Sequence, residues 1–257
     1  MIPALRVAAE NWESWLKYAA STRHVRNLEL PGALLDQTPG VKAKAATYEL
    51  HTVHVYDAIS PQITRYLTEK SAAFQEQVCN RCIEQLKSLT EIGVNSVDFD
   101  LGLNRIDDCK DDNAIAARVN ILQDLLIGLT EYPVNFVIPV RYPTAHPASK
   151  EWEKAANIVH DVMQPSCRIG VDVFPGELAA DVDLEGVVRW LYYSIDFIRF
   201  HYEPRLGDDL QTWKADEWIR LLRAHGFRRK IIFCPKVNAE REIAETLQSL
   251  DKLFDQN

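Results

Sequence analysis

Short runs of β-branched and aromatic residues alternate along the chain with longer stretches of helical period, from Leu5 to the last residues. The strand-like runs are Leu5–Glu10, Val25–Leu30, Tyr48–Tyr56, Ser96–Leu101, Asn135–Arg141, Arg168–Phe174, Phe197–Glu203 and Ile231–Lys236. Between them, apolar residues recur three and four positions apart. Examples are Ile115, Val119, Leu122, Leu126 and Leu129; then Leu184, Val187, Val188, Leu191, Tyr192 and Ile195; then Ile243, Leu247, Leu250 and Phe254. A strand-helix alternation implies right-handed βαβ units and a parallel sheet, and eight such units predict a closed (β/α)8 TIM barrel of the α/β class. The first strand is not followed by a GxGxxG turn, which argues against an open dinucleotide-binding sheet.

Pro and Gly fall between these elements, at Pro31-Gly32, Pro39-Gly40, Pro143, Pro147, Pro175-Gly176 and Pro204, so residues 1–257 are expected to form one domain without a linker. The longest connection, Leu30 to Tyr48, is expected to be a loop with Gly32–Ala46 as a candidate lid. Trp190, Tyr192, Tyr193, Trp213 and Trp218 lie on helix-like stretches and read as packing residues. The basic Arg223–Lys230 stretch reads as a solvated turn before the last strand.

The 257 residues, 47% apolar and 26% charged, have the composition of an ordinary globular chain, and about 250 residues suits a single barrel. A formal net charge of −8 speaks against nucleic-acid or anionic-membrane partners, both of which need a basic surface. No run approaches the roughly 18 apolar residues of a spanning helix, and the first ten residues lack a signal-peptide pattern, so a cytoplasmic location is expected. Five cysteines without a secretory signal read as reduced thiols; Cys79 and Cys82 form a CxxC inside a helical pattern and read as core.

In a barrel of this kind the chemistry sits at the C-terminal strand ends. Reading each run to its end gives Glu10; Glu29; His51 and His54; Asp98 and Asp100; Arg141; Asp172; His201 and Glu203; Cys234 and Lys236. Side chains two apart share a face, so Asp98 pairs with Asp100 and His201 with Glu203. His51 and His54 cannot both face the axis, and His54 is taken as the inward one. Arg199 shares parity with His201 one step deeper and implies a charged, hydrogen-bonded interior below the rim.

Several motifs together resemble the xylose-isomerase-like TIM barrels, a group that includes sugar-phosphate isomerases and epimerases and endonuclease-IV-type nucleases. They are Glu29-Leu-Pro-Gly32, Thr52-Val-His54-Val-Tyr56, Val97-Asp-Phe-Asp100-Leu-Gly102, Ile169-Gly-Val-Asp172, Phe197-Ile-Arg-Phe-His201, His225-Gly-Phe227 and Ile231-Ile-Phe-Cys234-Pro235. The resemblance implies a divalent metal held by Glu, Asp, His and Glu from strands five to eight. Asp172 and His201 stand where that Asp and His are expected, but strand five ends in Arg141 and strand eight reads Phe233-Cys234-Pro235-Lys236, so both glutamates are missing. The metal site is degenerate. Arg141 or Lys236 is expected to supply a fixed positive charge in place of the metal. A three-metal nuclease cluster lacks the ligands it needs.

The expected function is a sugar or sugar-phosphate isomerase or epimerase that transfers a proton beside a carbonyl. Catalysis falls to Asp172, His201, Glu203 and Lys236, with Glu203, Glu29 or Asp172 as base and His201 or His54 as its acid partner. Substrate binding falls to Glu10, Glu29, His54, Asp98, Asp100 and Arg141. The cofactor is left open between none and one divalent ion, Mn²⁺, Mg²⁺ or Zn²⁺, with Asp98, Asp100, Asp172, His201 and Glu203 as candidate ligands. The expected partner is a small polar, sugar-like molecule, with a homo-oligomer left open. Two alternatives stand beside it: a metal-free barrel that binds a small polar ligand without catalysis, and a Schiff-base lyase using Lys236.

Overall fold

The computed structural model describes residues 1–59, 72–91, 93–103, 112–141, 151–174, 194–202, 215–235 and 240–255. Eight parallel strands close into a barrel in chain order: β1 (Ile2–Arg6), β2 (Asn27–Pro31), β3 (His51–Ile59), β4 (Ser96–Phe99), β5 (Asn135–Arg141), β6 (Cys167–Val173), β7 (Ile195–Tyr202) and β8 (Lys230–Pro235). Pairing of β1 with β8 completes the ring, so no strand edge is left to solvent. The described helices are α1 (Trp12–Ala19), α2 (Thr38–Thr47), α3 (Ala72–Glu91), α4 (Asp112–Gly128), α5 (Glu151–Val162), α6 (Ala215–Ala224) and α7 (Glu240–Asp255). The chain is a (β/α)8 TIM barrel.

Two apolar clusters follow from the two faces of each strand. The large one lies between sheet and helices, where Phe136, Ile198, Phe200 and Ile231 meet Trp15, Leu122, Trp218 and Leu247. The small one fills the barrel interior and holds Ala4, Val137, Phe197, Ile232 and Cys234, with Val53 against it. Gly170 on β6 makes room for it: a Cβ there would lie 2.0 Å from Cζ of Phe197. The rest of the interior is polar.

Several elements differ from the sequence pattern. β1 ends at Arg6 rather than Glu10, because the chain turns at Ala9–Glu10 into α1, whose Trp15, Leu16 and Ala19 are buried at once. β7 begins at Ile195, which therefore belongs to the sheet and not to the preceding helical pattern. The expected loop from Leu30 to Tyr48 is helical, a 3-10 turn at Gly32–Gln37 followed by α2. Pro39 sits in the first turn of α2, where a missing N–H costs nothing, and Val41 and Ala45 bury one face. Lys230, expected in a solvated turn, is the first residue of β8 and points into the barrel. Trp218 is buried as expected; Trp190, Tyr192, Tyr193 and Trp213 lie outside the described residues, as does the Leu184–Leu191 pattern. Cys79 and Cys82 are free and buried in α3, and burial pushes the Cys82 thiol up to about 11.

Candidate active site

Two bulges decide which polar side chains enter the barrel. Along β2 and β3 the register runs Leu28↔Thr52 and then Glu29↔His54, so the extra residue Val53 turns His54 inward beside Glu29. His51, on the other side of that bulge, is exposed. Along β6 and β7 it runs Ile169↔Ile195 and then Gly170↔Phe197, leaving Asp196 as the extra residue, buried and able to reach Lys230.

The deepest layer is built on Lys230, whose ammonium donates to Asp196 Oδ2 at 2.6 Å and to Ser96 Oγ at 2.7 Å. The Ser96 hydroxyl donates its single proton to the Val53 carbonyl at 3.1 Å, so it accepts from His54 Nδ1 at 2.7 Å. With Nδ1 carrying a proton, the 2.8 Å bond between His54 Nε2 and Asp98 Oδ1 requires a second one, held between that pair.

Arg199 dominates the next layer. Its Nη2 donates to Glu29 Oε1 at 2.5 Å and Asp98 Oδ2 at 2.8 Å, and lies 3.5 Å from His54 Nε2; its Nη1 donates to Asp172 Oδ1 at 3.0 Å. One side chain from β7 thus reaches carboxylates on β2, β4 and β6. Its face packs on the Phe197 ring at 4.2 Å, and Phe197 meets His54 edge-on at 4.9 Å. Arg199 Nε has no hydrogen-bond partner among the described residues. Arg6 bonds Glu29 Oε2 through Nε and stacks over Tyr56 at 3.8 Å, while the Tyr56 hydroxyl donates to the Val7 carbonyl at 3.0 Å.

Three carboxylates face two guanidiniums here, so a proton on one imidazole brings the layer to neutrality. Burial alone would raise the Glu29 carboxyl, but Arg199 and Arg6 hold it well below the usual range. Asp172 is likewise depressed: burial opposes ionisation, and Arg199 and the His201 hydrogen bond overcome it. Burial pushes the Cys234 thiol, 3.9 Å from Glu29 Oε2, well above its ordinary value.

The rim is formed by His201 and Asp172, joined through Nε2 and Oδ1 at 2.7 Å, with side chains 24% and 15% exposed. Phe174 stacks on His201 at 4.3 Å with the rings 8° from parallel, and the Arg141 guanidinium lies 4.3 Å from the centre of the Phe174 ring. Asp57 joins the rim from a third irregularity, where β3 passes from Val55↔Val97 to Ile59↔Phe99. Its φ of 52° is left-handed, which a non-glycine residue adopts at a cost. Gly32 is the complement of this bulge: a Cβ there would lie 2.2 Å from the Asp57 carbonyl oxygen. Partial burial and the nearby Asp98 charge raise the Asp57 carboxyl.

Glu29, His54, Asp98, Asp172 and His201 converge in one hydrogen-bonded cluster with Arg199. Glu10 is exposed in the turn before α1, and Asp100, just past β4, accepts the Gly102 amide at 2.7 Å in a local turn. Arg141 is exposed at the rim and not among the buried carboxylates, so the interior positive charge expected of it is supplied by Arg199. Glu203 and Lys236 lie outside the described residues. The sequence pattern does not single out Arg6, Tyr56, Asp57 or the Lys230–Asp196–Ser96 layer. For Arg6 a signal exists, since Ala4 and Arg6 alternate like Asn27 and Glu29 on the neighbouring strand.

A divalent ion, which the resemblance implies, fits this arrangement poorly. Glu29, His54 and Asp98 each offer a ligand atom, all within 4.8 Å of one another. Arg199 Nη2 already stands among them, 2.5 Å from Glu29 Oε1, 2.8 Å from Asp98 Oδ2 and 3.5 Å from His54 Nε2, so an ion bonded to all three would crowd a fixed positive charge. Asp172 and His201 bond each other, β5 contributes Arg141, and β8 contributes the Cys234 thiol. The implied four-ligand set is not assembled among the described residues.

No family model and no curated protein matches this sequence. Solved structures do match. A 3-keto-D-glucoside 4-epimerase from E. coli superposes with a TM-score of 0.70 at 13% identity, over 99% of this chain and 99% of its own. D-psicose 3-epimerase from Clostridium cellulolyticum H10, solved with D-tagatose, gives 0.69 at 13% identity over 98% and 95%. A family 2 AP endonuclease from Brucella melitensis gives 0.68 at 13% identity over 96% and 98%. Sugar epimerases and a nuclease share this architecture at similar scores, so the fold alone does not select the reaction. What the superpositions establish is that this chain has the fold of the xylose-isomerase-like TIM barrels.

Proposed function

We propose that the chain is an isomerase- or epimerase-type enzyme that moves a proton beside the carbonyl of a small sugar-like molecule held at the C-terminal mouth. The observation that carries the reading is the His201–Asp172 pair, partly open to the mouth and underpinned by Arg199. Asp172 is kept ionised by Arg199 and so is a poor proton acceptor. Its role is to hold His201 Nε2–H, which leaves Nδ1 as the basic nitrogen of the ring. Glu29 is fully buried and clamped by two guanidiniums, so it serves as a counter-charge and not as the base. Arg6, 21% exposed, supports negative charge developing on the carbonyl oxygen, and Arg141 is placed to hold a phosphate or carboxylate of the substrate. Glu203 and Lys236, which come next in sequence after β7 and β8, complete the proposed set, Glu203 as a second proton-transfer group and Lys236 as a further cation.

The test is proton exchange. The purified protein is incubated in D2O with ketoses, keto-sugars and their phosphates, and loss of the carbon-bound proton beside the carbonyl is followed by NMR. Exchange by wild type that falls by about 10²-fold or more in His201→Asn supports the reading. Saturable binding by calorimetry without exchange across that panel overturns it in favour of the non-catalytic binder, a reading favoured by the engagement of Glu29, Asp98 and Asp172 with guanidiniums.

A further inference from the structure

The niche formed by Glu29, His54 and Asp98 is the one group of three metal-ligating side chains that comes together among the described residues, and it is filled from within. Nη2 of Arg199 contacts the two carboxylates at 2.5 and 2.8 Å and lies 3.5 Å from the imidazole nitrogen. The same guanidinium extends through Nη1 to Asp172, so its planar fork reaches both the niche and the rim carboxylate. An arginine carries its charge at any pH compatible with a folded protein, and this one is tethered to β7 and packed on Phe197. We infer that Arg199 is a built-in cation that occupies a divalent-metal niche and keeps metal out of it, and that removing its guanidinium turns Glu29, His54 and Asp98 into a metal site.

Charge and ligand chemistry both point this way. Two carboxylates and an imidazole are an oxygen- and nitrogen-rich set suited to Mn²⁺, Co²⁺ or Zn²⁺. With Arg199 in place, a divalent ion would meet a fixed positive charge among the very atoms it must bind. Without Arg199, the layer carries one net negative charge, and a divalent ion that displaces to solvent the proton held between His54 Nε2 and Asp98 restores neutrality. This exchange of guanidinium for metal is independent of the reaction at the mouth.

Co²⁺ titration followed by visible absorption and calorimetry tests the inference, because the d–d bands report the ligand set independently of any activity. Wild type and Arg199→Lys, which keeps a cation, are expected to take up no stoichiometric Co²⁺ in this niche. Arg199→Ala is expected to gain one equivalent, lost again in Arg199→Ala/His54→Ala. If Arg199→Ala folds only when Co²⁺ or Mn²⁺ is supplied, recovery of its circular dichroism on adding the metal reports the same gain. Stoichiometric uptake by wild type that His54→Ala abolishes overturns the inference, as does a folded Arg199→Ala that binds none. Should Arg199→Ala fold under neither condition, the wild-type and Arg199→Lys titrations decide by the same criterion.

Discussion

Nη2 of Arg199 on β7 and Oε1 of Glu29 on β2 meet at 2.5 Å inside the barrel, although 170 positions separate them in sequence. Their side chains are 3% and 0% exposed. Charges taken this far out of water are stable only as partners, because each left alone bears a desolvation cost that nothing offsets.

The losses from removing the two partners are therefore expected to fall short of additivity. Arg199→Met leaves Glu29, Asp98 and Asp172 without their common guanidinium and is expected to lower the unfolding free energy by about 3–5 kcal/mol. Glu29→Gln leaves Arg6 and Arg199 short of a counter-charge and is also destabilising. The double variant should lose clearly less than the sum of the two, as in any double-mutant cycle between directly coupled groups. Urea unfolding of the four proteins gives the coupling; strictly additive losses would show that the two side chains do not hold each other.

The same cluster sets the response to acid. Glu29 and Asp172 have folded-state pKa values below their ordinary ones, so between the two values the unfolded chain binds more protons than the folded one. Their stabilising contribution is complete above the unfolded carboxylate range, about pH 4, and is lost as pH falls below it toward the depressed folded values. Chemical unfolding at a series of pH values is expected to show stability falling as the pH drops below about 4, with a shallower fall in Asp172→Asn. Equal slopes in the two proteins would remove Asp172 from the account.

Much of this architecture is legible in the amino-acid sequence. Eight β-rich runs separated by helical periods imply the barrel, the strand ends name Asp98, Asp172 and His201, and parity sets Arg199 one step below His201. What parity does not carry is register. The extra residues Val53 and Asp196, and the left-handed Asp57, reset which side chains face inward, and no periodic pattern signals them. A first strand extended to Glu10 hides Arg6, whose position follows from pairing with Glu29 rather than from its own segment. The loss of carboxylates from strands five and eight points to Arg141 or Lys236 as the replacing cation; Arg141 is exposed, Lys236 lies outside the described residues, and among the described residues the charge shared by Glu29, Asp98 and Asp172 is that of Arg199 on β7. Which guanidinium reaches three carboxylates is a property of side-chain length across the barrel, and linear spacing does not encode it.

Asp57 pits stability against use. Its carboxyl is raised by partial burial and by Asp98, so the ionised form costs stability above the folded pKa, a cost that disappears below the unfolded one. The residue is solvent-accessible, and screening limits the effect to a few tenths of a kcal/mol. Asp57→Asn keeps a side chain that tolerates left-handed φ and removes the charge, so near neutral pH it should raise the melting temperature slightly. If the rim carboxylate serves the substrate, the same variant lowers proton exchange or ligand affinity. A variant that loses stability near neutral pH would show that the carboxylate makes a favourable contact there.

Gly170 couples packing to the site without touching a ligand. A Cβ at this position would lie 2.0, 2.4 and 2.7 Å from three atoms of the Phe197 ring, far inside van der Waals contact. Phe197 cannot move alone, since Arg199 packs on its face and His54 meets its edge. Gly170→Ala is therefore expected to cost about 1–3 kcal/mol by overpacking and to displace Arg199 from its carboxylates, weakening whatever the mouth does. Phe197→Leu, made in the Gly170→Ala background, removes ring atoms from the clash and should recover part of the stability. It should recover less of the function, because the aromatic face under Arg199 is gone. Unfolding and proton-exchange measurements on the single and double variants separate the two effects, and a Gly170→Ala protein as stable as wild type would refute the close approach of β6 to Phe197.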